Sequence, residues 1–219
     1  MTTAKLTIAY DGSPFSGWAA QSGLRSVQGE IESALEKILR RPTSLTVAGR
    51  TDAGVHAWAQ VASCSLEDEV PDTLRRSLNA ILPLEIAILR VEAAPDGFDA
   101  RRDALSRTYC YRVVGSPVLS PFERGRALHW PYQLDREALD RCAAAIVGTH
   151  DFTAFTPTET EHVRFERNVP MADWREFALA DAREGRLLEL WIQADAFMHR
   201  MVRVLVGTML EVGTGRRTV

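Results

Sequence analysis

The segment Ala48-Gly49-Arg50-Thr51-Asp52-Ala53-Gly54-Val55-His56-Ala57 places one carboxylate between an arginine and a glycine. Apolar, strand-like runs lie on both sides of it, at residues 45–47 and 58–64. Glycine adopts positive φ angles and lets another backbone approach closely, so the segment is predicted to be a tight loop between two strands. Loops held on a rigid sheet often carry reactive groups. Asp52 is therefore a candidate catalytic residue, and the alternative is an ordinary Asx turn.

The chain around this loop predicts a β-α-β-β-α-β order. Strands are expected at residues 5–10, 45–48, 55–66 and 85–91, with one helix after Ser26 and another beginning at Pro71. Ser26 is expected to cap the first helix, because apolar residues follow it at helical spacing (Val27, Ile31, Leu35, Ile38 and Leu39). This order is that of the ferredoxin-like split unit.

A polar loop at residues 95–97 separates a first predicted domain, 1–95, from a second, 96–219. In the second domain, strands are expected at 106–114, 169–179 and 187–194, and helices at 135–147 and 197–210. The order β-α-β-β-α lacks the last strand of the first domain, so we expect the chain to have been cut short there. The predicted fold class is α+β, built from two ferredoxin-like halves.

The composition is that of a globular protein kept in a reducing compartment. Of 219 residues, 46% are hydrophobic and 25% charged, the net charge is −3, and no apolar run is long enough to cross a bilayer. The three cysteines are scattered through apolar patterns, and the five histidines lack the spacing of metal ligands. These features favour a cytoplasmic protein without a metal site and exclude a disulfide-bonded secreted framework.

A basic and aromatic strand follows the domain boundary. It carries Arg107 and Tyr109, with Arg101 shortly before it. A tyrosine suits stacking on a base, and arginine suits phosphate, so these residues are candidates for binding RNA. The alternative is an edge strand with a half-buried row of tyrosines.

Two further arginines are candidate partners of the Asp52 carboxylate. Arg50 lies two residues before it, and a nearby guanidinium keeps a carboxylate ionised. Arg203 lies between two valines of the last predicted helix, where a charge usually has a buried partner. The alternative for Arg203 is a solvated helix face.

These residues belong to a series of motifs that extends along almost the whole chain. They are Tyr10-Asp11-Gly12 with Gly17-Trp18, Ser26-Val27-Gln28-Gly29, residues 49–57, 79–83 and 98–101, Arg107-Thr108-Tyr109, His150-Asp151-Phe152-Thr153, and residues 197–203 and 206–207. Through these motifs the chain resembles the TruA-type tRNA pseudouridine synthases. The acidic loop at residues 156–167 does not match that pattern well.

The resemblance implies two ferredoxin-like halves whose sheets join into one antiparallel sheet, with the helices on one face and the active-site cleft between the halves. It implies isomerisation of uridine to pseudouridine at positions 38, 39 and 40 of the tRNA anticodon stem-loop. The expected enzyme is a homodimer that uses no cofactor and no metal.

The resemblance also implies roles for individual residues. Asp52 is the catalyst, Tyr109 stacks on the uracil, Arg203 pairs with the aspartate, and Arg50 stabilises the flipped nucleotide. Three alternatives stay open at this point. They are an RNA-binding module without catalysis, a synthase acting on another RNA, and a structural domain in which Arg203 and Asp52 form only an ion pair.

Overall fold

The computed structural model of the protein describes residues 1–157, 163–179 and 185–218. Contacts among Cα atoms divide the chain into two compact units, 1–104 and 105–219. This division falls later than the polar loop at 95–97, because Ala100 N donates to Ser63 Oγ at 3.1 Å and ties the segment after the last strand to the first sheet. Residues 158–162 of the predicted acidic loop, including His162, lie outside the described residues.

The first unit, whose residues are all described, has the order β1-α1-β2-β3-α2-β4. The bounds are β1 Thr2–Tyr10, α1 Val27–Leu39, β2 Thr46–Val47, β3 Ala57–Leu66, α2 Leu74–Ile81 and β4 Ile86–Ala94. The strands pair antiparallel in the order β2-β3-β1-β4. The element order predicted for this half is confirmed.

One face of this sheet is covered by both helices. Alternate side chains of β1 are buried, and they pack with the apolar faces of α1 and α2 in a single core (Ala4, Leu6, Ile8 and Tyr10 with Val27, Ile31, Leu35, Leu74 and Leu78). Ser26 Oγ accepts from Gly29 N at 3.2 Å, which is the predicted helix cap. The predicted start of the second helix at Pro71 is wrong, because Leu74 N donates to Pro71 O in a turn that precedes the helix.

The described part of the second unit contains six strands and two helices, with two short 3₁₀ turns between strands. The bounds are β5 Arg107–Gly115, β6 Leu128–His129, α3 Arg136–Ala145, β7 Gly148–Asp151, β8 Glu166–Val169, β9 Met171–Ala178, β10 Arg186–Ala194 and α4 Met201–Gly213, and the turns lie at Pro121–Glu123 and Thr153–Phe155. Within the described part, one sheet has the order β6-β5-β10-β9 and a second pairs β7 with β8.

The second unit departs from the sequence predictions in two respects. β6 pairs parallel with β5, so the sheet is mixed and not wholly antiparallel, because the connection of residues 116–127 carries the chain back before β6 begins. The last helix begins at Met201 instead of residue 197, because Arg200 has a left-handed backbone with φ of 59°. No helix in the described ranges has both the length and the apolar character needed to cross a membrane.

Candidate active site

The loop that carries Asp52 connects β2 to β3 in the first unit. Asp52 and Arg50 are both exposed. Val55 N donates to Asp52 O at 3.2 Å, and Gly54 has a φ of 76°, so the chain turns directly after the carboxylate. Glycine accepts this angle because it has no Cβ atom. The predicted tight loop is confirmed, and its tip presents the carboxylate to solvent.

Side chains of β1 and β3 hold the part of the loop that precedes Asp52. The Tyr10 hydroxyl lies 2.8 Å from Thr51 Oγ1, and Gln60 Nε2 donates to Gly49 O at 2.8 Å and to the Tyr10 hydroxyl at 3.4 Å. Burial raises the pKa of Tyr10, while its hydrogen bonds to Thr51 and Gln60 act in the opposite direction. At neutral pH Tyr10 is therefore an uncharged phenol within this network.

A glycine-tryptophan pair before α1 packs against the same part of the loop. Trp18 is fully buried, and its N donates to Thr51 O at 3.0 Å. Gly17 has a φ of 101°, and a Cβ atom there would lie 2.9 Å from Thr51 O. The structure shows that the pair fixes the residue next to Asp52.

The turn after β1 contacts the other end of the loop. A Cβ atom on Gly12 would lie 2.0 Å from Val55 O, so only glycine fits. His56 Nδ1 lies 3.2 Å from Gly12 N and 3.1 Å from Asp11 Oδ1. An unprotonated Nδ1 accepts from the amide, whereas a protonated Nδ1 donates to the carboxylate. In either state the imidazole ties the end of the loop to this turn.

Arg101 is the third predicted site residue of the first unit. It is exposed in the segment after β4, where its N donates to Asp99 Oδ1 at 2.8 Å. The Arg102 N donates to the same oxygen at 2.8 Å. The Asp99 side chain therefore fixes the turn that carries both arginines, and Arg101 extends from a defined backbone.

Tyr109 lies on β5 in the second unit and is half-buried. Its ring meets the ring of Phe197 edge-on, with centroids 4.9 Å apart and an angle of 89° between the planes. The same apolar cluster contains Met201 and Val202 from the start of α4. This packing fixes the plane of the tyrosine ring, and it brings β5 and the first turn of α4 together.

Arg107 is held by a residue that sequence reasoning missed. Its Nη1 donates to Asp195 O at 2.8 Å. The Asp195 carboxylate accepts from Asn168 N at 3.2 Å and Ala196 N at 2.8 Å, and it lies 3.5 Å from Arg164 Nη2. Asp195 therefore joins β8, β5 and the segment before α4. A single aspartate between a strand and a helix gives no sequence signal for this role.

Arg203 lies on α4 and is exposed, as is the neighbouring Val204. This exposure is what the alternative of a solvated helix face predicts. Arg200 precedes the helix in a left-handed conformation and lies outside its regular turns. The pairing of Arg203 with Asp52 stays a prediction.

The six predicted site residues are divided equally between the units. Arg50, Asp52 and Arg101 belong to the first, and Arg107, Tyr109 and Arg203 to the second. Within the described ranges, no group of three or more His, Cys, Asp or Glu side chains is arranged to hold a metal ion. What the structure establishes is a braced carboxylate loop in one unit and, in the other, an aromatic and basic strand packed against α4.

Comparison with known proteins identifies the class of enzyme. The family model described as tRNA pseudouridine synthase matches residues 6–102 and 142–219, which is most of the chain. The chain therefore belongs to the tRNA pseudouridine synthase family, isomerases that make pseudouridine in tRNA. The family predicted from the motifs is confirmed.

Curated relatives agree with this assignment. The chain is 45% identical over 216 residues to the tRNA pseudouridine synthase A of Frankia casuarinae, covering 97% of this chain and 76% of the relative. It is 42% identical over 254 residues to that of Bifidobacterium longum, covering 100% and 84%. A solved structure of an unknown protein from Galdieria sulphuraria matches with a TM-score of 0.29 at 14% identity, over 96% of this chain and 91% of its own, which is too weak to carry an argument.

Proposed function

We propose that the protein isomerises uridine to pseudouridine in the anticodon stem-loop of tRNA, at positions 38, 39 and 40, with Asp52 as the catalytic carboxylate. The observation that carries this proposal is the bracing of the Asp52 loop by Tyr10, Gln60 and Trp18. A reaction on a flipped nucleotide needs a reactive group held at a fixed position, because misplacement by about 1 Å can cost about 100-fold in rate.

The reaction is an isomerisation, so the product has the same atomic composition as the substrate. The C1′–N1 bond breaks, the freed uracil rotates, C1′ bonds to C5, the C5 proton leaves, and N1 gains a proton. Asp52 starts this sequence in one of two ways: it attacks C1′ and is displaced when C1′ bonds to C5, or it removes the C2′ proton to give a glycal and returns a proton to C2′ when C1′ bonds to C5. Both routes need an ionised carboxylate, and neither requires an oxidant, a reductant or a transferred group.

The remaining site residues are proposed to bind the RNA. Tyr109 stacks on the uracil, and its edge-on contact with Phe197 supports this role because it fixes the ring plane. Arg203 pairs with Asp52, and Arg50 stabilises the flipped nucleotide. Arg101 and Arg107 bind phosphates, consistent with the fixed turn and strand that carry them.

We further propose two ferredoxin-like halves whose sheets join, with the active-site cleft between them. The element order of the first unit and its strand order β2-β3-β1-β4 support this architecture for that half. A homodimer that works in the cytoplasm on the anticodon stem-loop completes the proposal.

The experiment that tests this function uses unmodified tRNA carrying tritium at uracil C5. The protein is expected to release tritium from uridines 38, 39 and 40, because the C5 proton leaves when the new bond forms. Replacement of these uridines by cytidine is the control and should abolish release. Binding of the tRNA without any release would instead indicate an RNA-binding module, and release from other uridines would overturn the assigned positions.

A further inference from the structure

Trp58 differs from the other four tryptophans of the chain in its exposure. Its relative exposure is 63%, whereas Trp18 and Trp174 are buried and Trp130 and Trp191 are intermediate. An indole is the largest apolar side chain, and folding normally covers it. Tryptophan is enriched at interfaces because its ring combines a large apolar face with a polar N–H group, so an exposed tryptophan close to the Asp52 loop is a candidate contact for a partner.

The backbone around Trp58 gives a second observation. In the pairing of β1 with β3, Ile8 lies opposite Gln60 and Tyr10 lies opposite Ala57. Residues 58 and 59 of β3 therefore face the single residue between Ile8 and Tyr10, which is a β-bulge. Bulges bend a strand and redirect a side chain, and they are frequent beside active sites.

The bulge also lies beside the chain that leads to Asp52. Ala48 N donates to Val61 O at 2.9 Å, and Gln60 Nε2 donates to Gly49 O at 2.8 Å. The segment that continues to Arg50 thus runs next to the beginning of β3, where Trp58 is the second residue. Trp58 and Arg50 therefore lie on neighbouring segments of the first unit, and both side chains are exposed.

We propose that Trp58 is a stacking platform for an unpaired nucleobase of the RNA substrate, next to the base that reacts at Asp52. This inference rests on the proposed function, because it assigns a further contact to the same site. Every nucleobase has a π-face, so an aromatic platform binds unstacked bases with little sequence preference. Arg50 on the neighbouring segment supplies a positive charge suited to the accompanying phosphate.

The test measures the tRNA affinity of Trp58→Ala and Trp58→Phe at one fixed salt concentration. Loss of a base-stacking side chain weakens binding by about 5- to 150-fold, so this is the range expected for Trp58→Ala, with most of the affinity kept in Trp58→Phe. The logarithmic salt dependence of binding should not change, because stacking neutralises no phosphate. Phe122→Ala is the matched control, since Phe122 is 77% exposed in the second unit, and it should bind tRNA like the wild type.

The outcomes separate this inference from the proposed function. An unchanged affinity in Trp58→Ala, or an equal loss in Phe122→Ala, would overturn the platform while tritium release by the wild type still supported the isomerase. Weaker tRNA binding by Trp58→Ala, with most of the affinity kept in Trp58→Phe, is the expected result, because phenylalanine retains an aromatic face for stacking. Thermal unfolding of each variant checks that the fold is retained.

Discussion

The Tyr10 hydroxyl contacts the residue that precedes Asp52, although Tyr10 and Thr51 are 41 positions apart in the sequence. Gln60 completes the contact by donating both to this hydroxyl and to Gly49 O. A buried phenol in such a network stabilises the loop only while it keeps its proton. Its effect on the protein should therefore depend on pH.

The predicted change is Tyr10→Phe. At pH 7 it should lower the free energy of unfolding by about 1 kcal/mol, because one partly buried hydrogen bond is lost. Burial raises the pKa of Tyr10 above its ordinary value of 10.0, so the unfolded chain loses this proton first as the pH rises. The native state then binds more protons than the unfolded chain does. The free energy of unfolding of the wild type should therefore fall as the pH rises above 10.0.

Urea unfolding between pH 7 and pH 11 measures this effect. The wild type should lose stability more steeply than Tyr10→Phe at the alkaline end, because the variant has no phenolic proton to lose at this position. Tyr132→Phe is the control, since Tyr132 is exposed, and its curve should follow that of the wild type. Parallel curves for the wild type and Tyr10→Phe would contradict the assigned environment of Tyr10.

At the scale of elements, the Asp52 loop keeps its shape because Gly12 and Gly17 let neighbouring backbone segments pack closely against it. The closer of them is Gly12, where a Cβ atom would lie 2.0 Å from Val55 O. We expect Gly12→Ala to destabilise the first unit by about 1–3 kcal/mol and to slow pseudouridine formation, because the backbone after Asp52 must move.

Gly207→Ala is the matched control for this substitution. Gly207 lies within α4, and a Cβ atom there would meet nothing within 4 Å. Alanine is the better helix former, so this variant should gain about 0.5–1 kcal/mol. Chemical denaturation measures both variants, and a Gly12→Ala protein as stable as the wild type would refute the close packing.

The sequence predicted those elements whose side chains repeat over many residues. The alternation in β1 and the Ser26 cap of α1 are examples. It did not predict β7 or β8, since four-residue strands are too short to show a period. It also placed the start of α4 too early, because the apolar spacing of Phe197 and Met201 suits a helix while the backbone of Arg200 does not.

The candidate site was predictable to a similar extent. The glycine spacing around Asp52 indicated its loop, because local sequence decides where a chain can turn. The supports of that loop could not be predicted, since Tyr10, Gly12 and Gln60 reach it from distant positions through tertiary packing. Asp195 was missed for the same reason, because its partners Arg107 and Asn168 are brought together only by the sheet.

At the scale of the whole molecule, a net charge of −3 means that attraction to RNA must come from locally placed arginines. We expect Arg101→Gln to reduce the slope of log affinity for tRNA against log salt by about one, since one phosphate contact is lost. The control is Arg141→Gln, because Arg141 lies on α3 of the second unit, where its guanidinium is 4.0 Å from the carboxylates of both Asp135 and Glu137. Equal slopes for Arg101→Gln and the wild type would remove Arg101 from the binding surface.

The central claim is that the Asp52 carboxylate catalyses the isomerisation, and Asp52→Asn tests it most directly. The substitution keeps the size of an exposed side chain and removes its charge, so stability should change by less than about 0.5 kcal/mol. The variant should fold and bind tRNA like the wild type. In the tritium-release assay, however, it should form no detectable pseudouridine. Pseudouridine formation at the wild-type rate by a correctly folded Asp52→Asn protein would contradict the account.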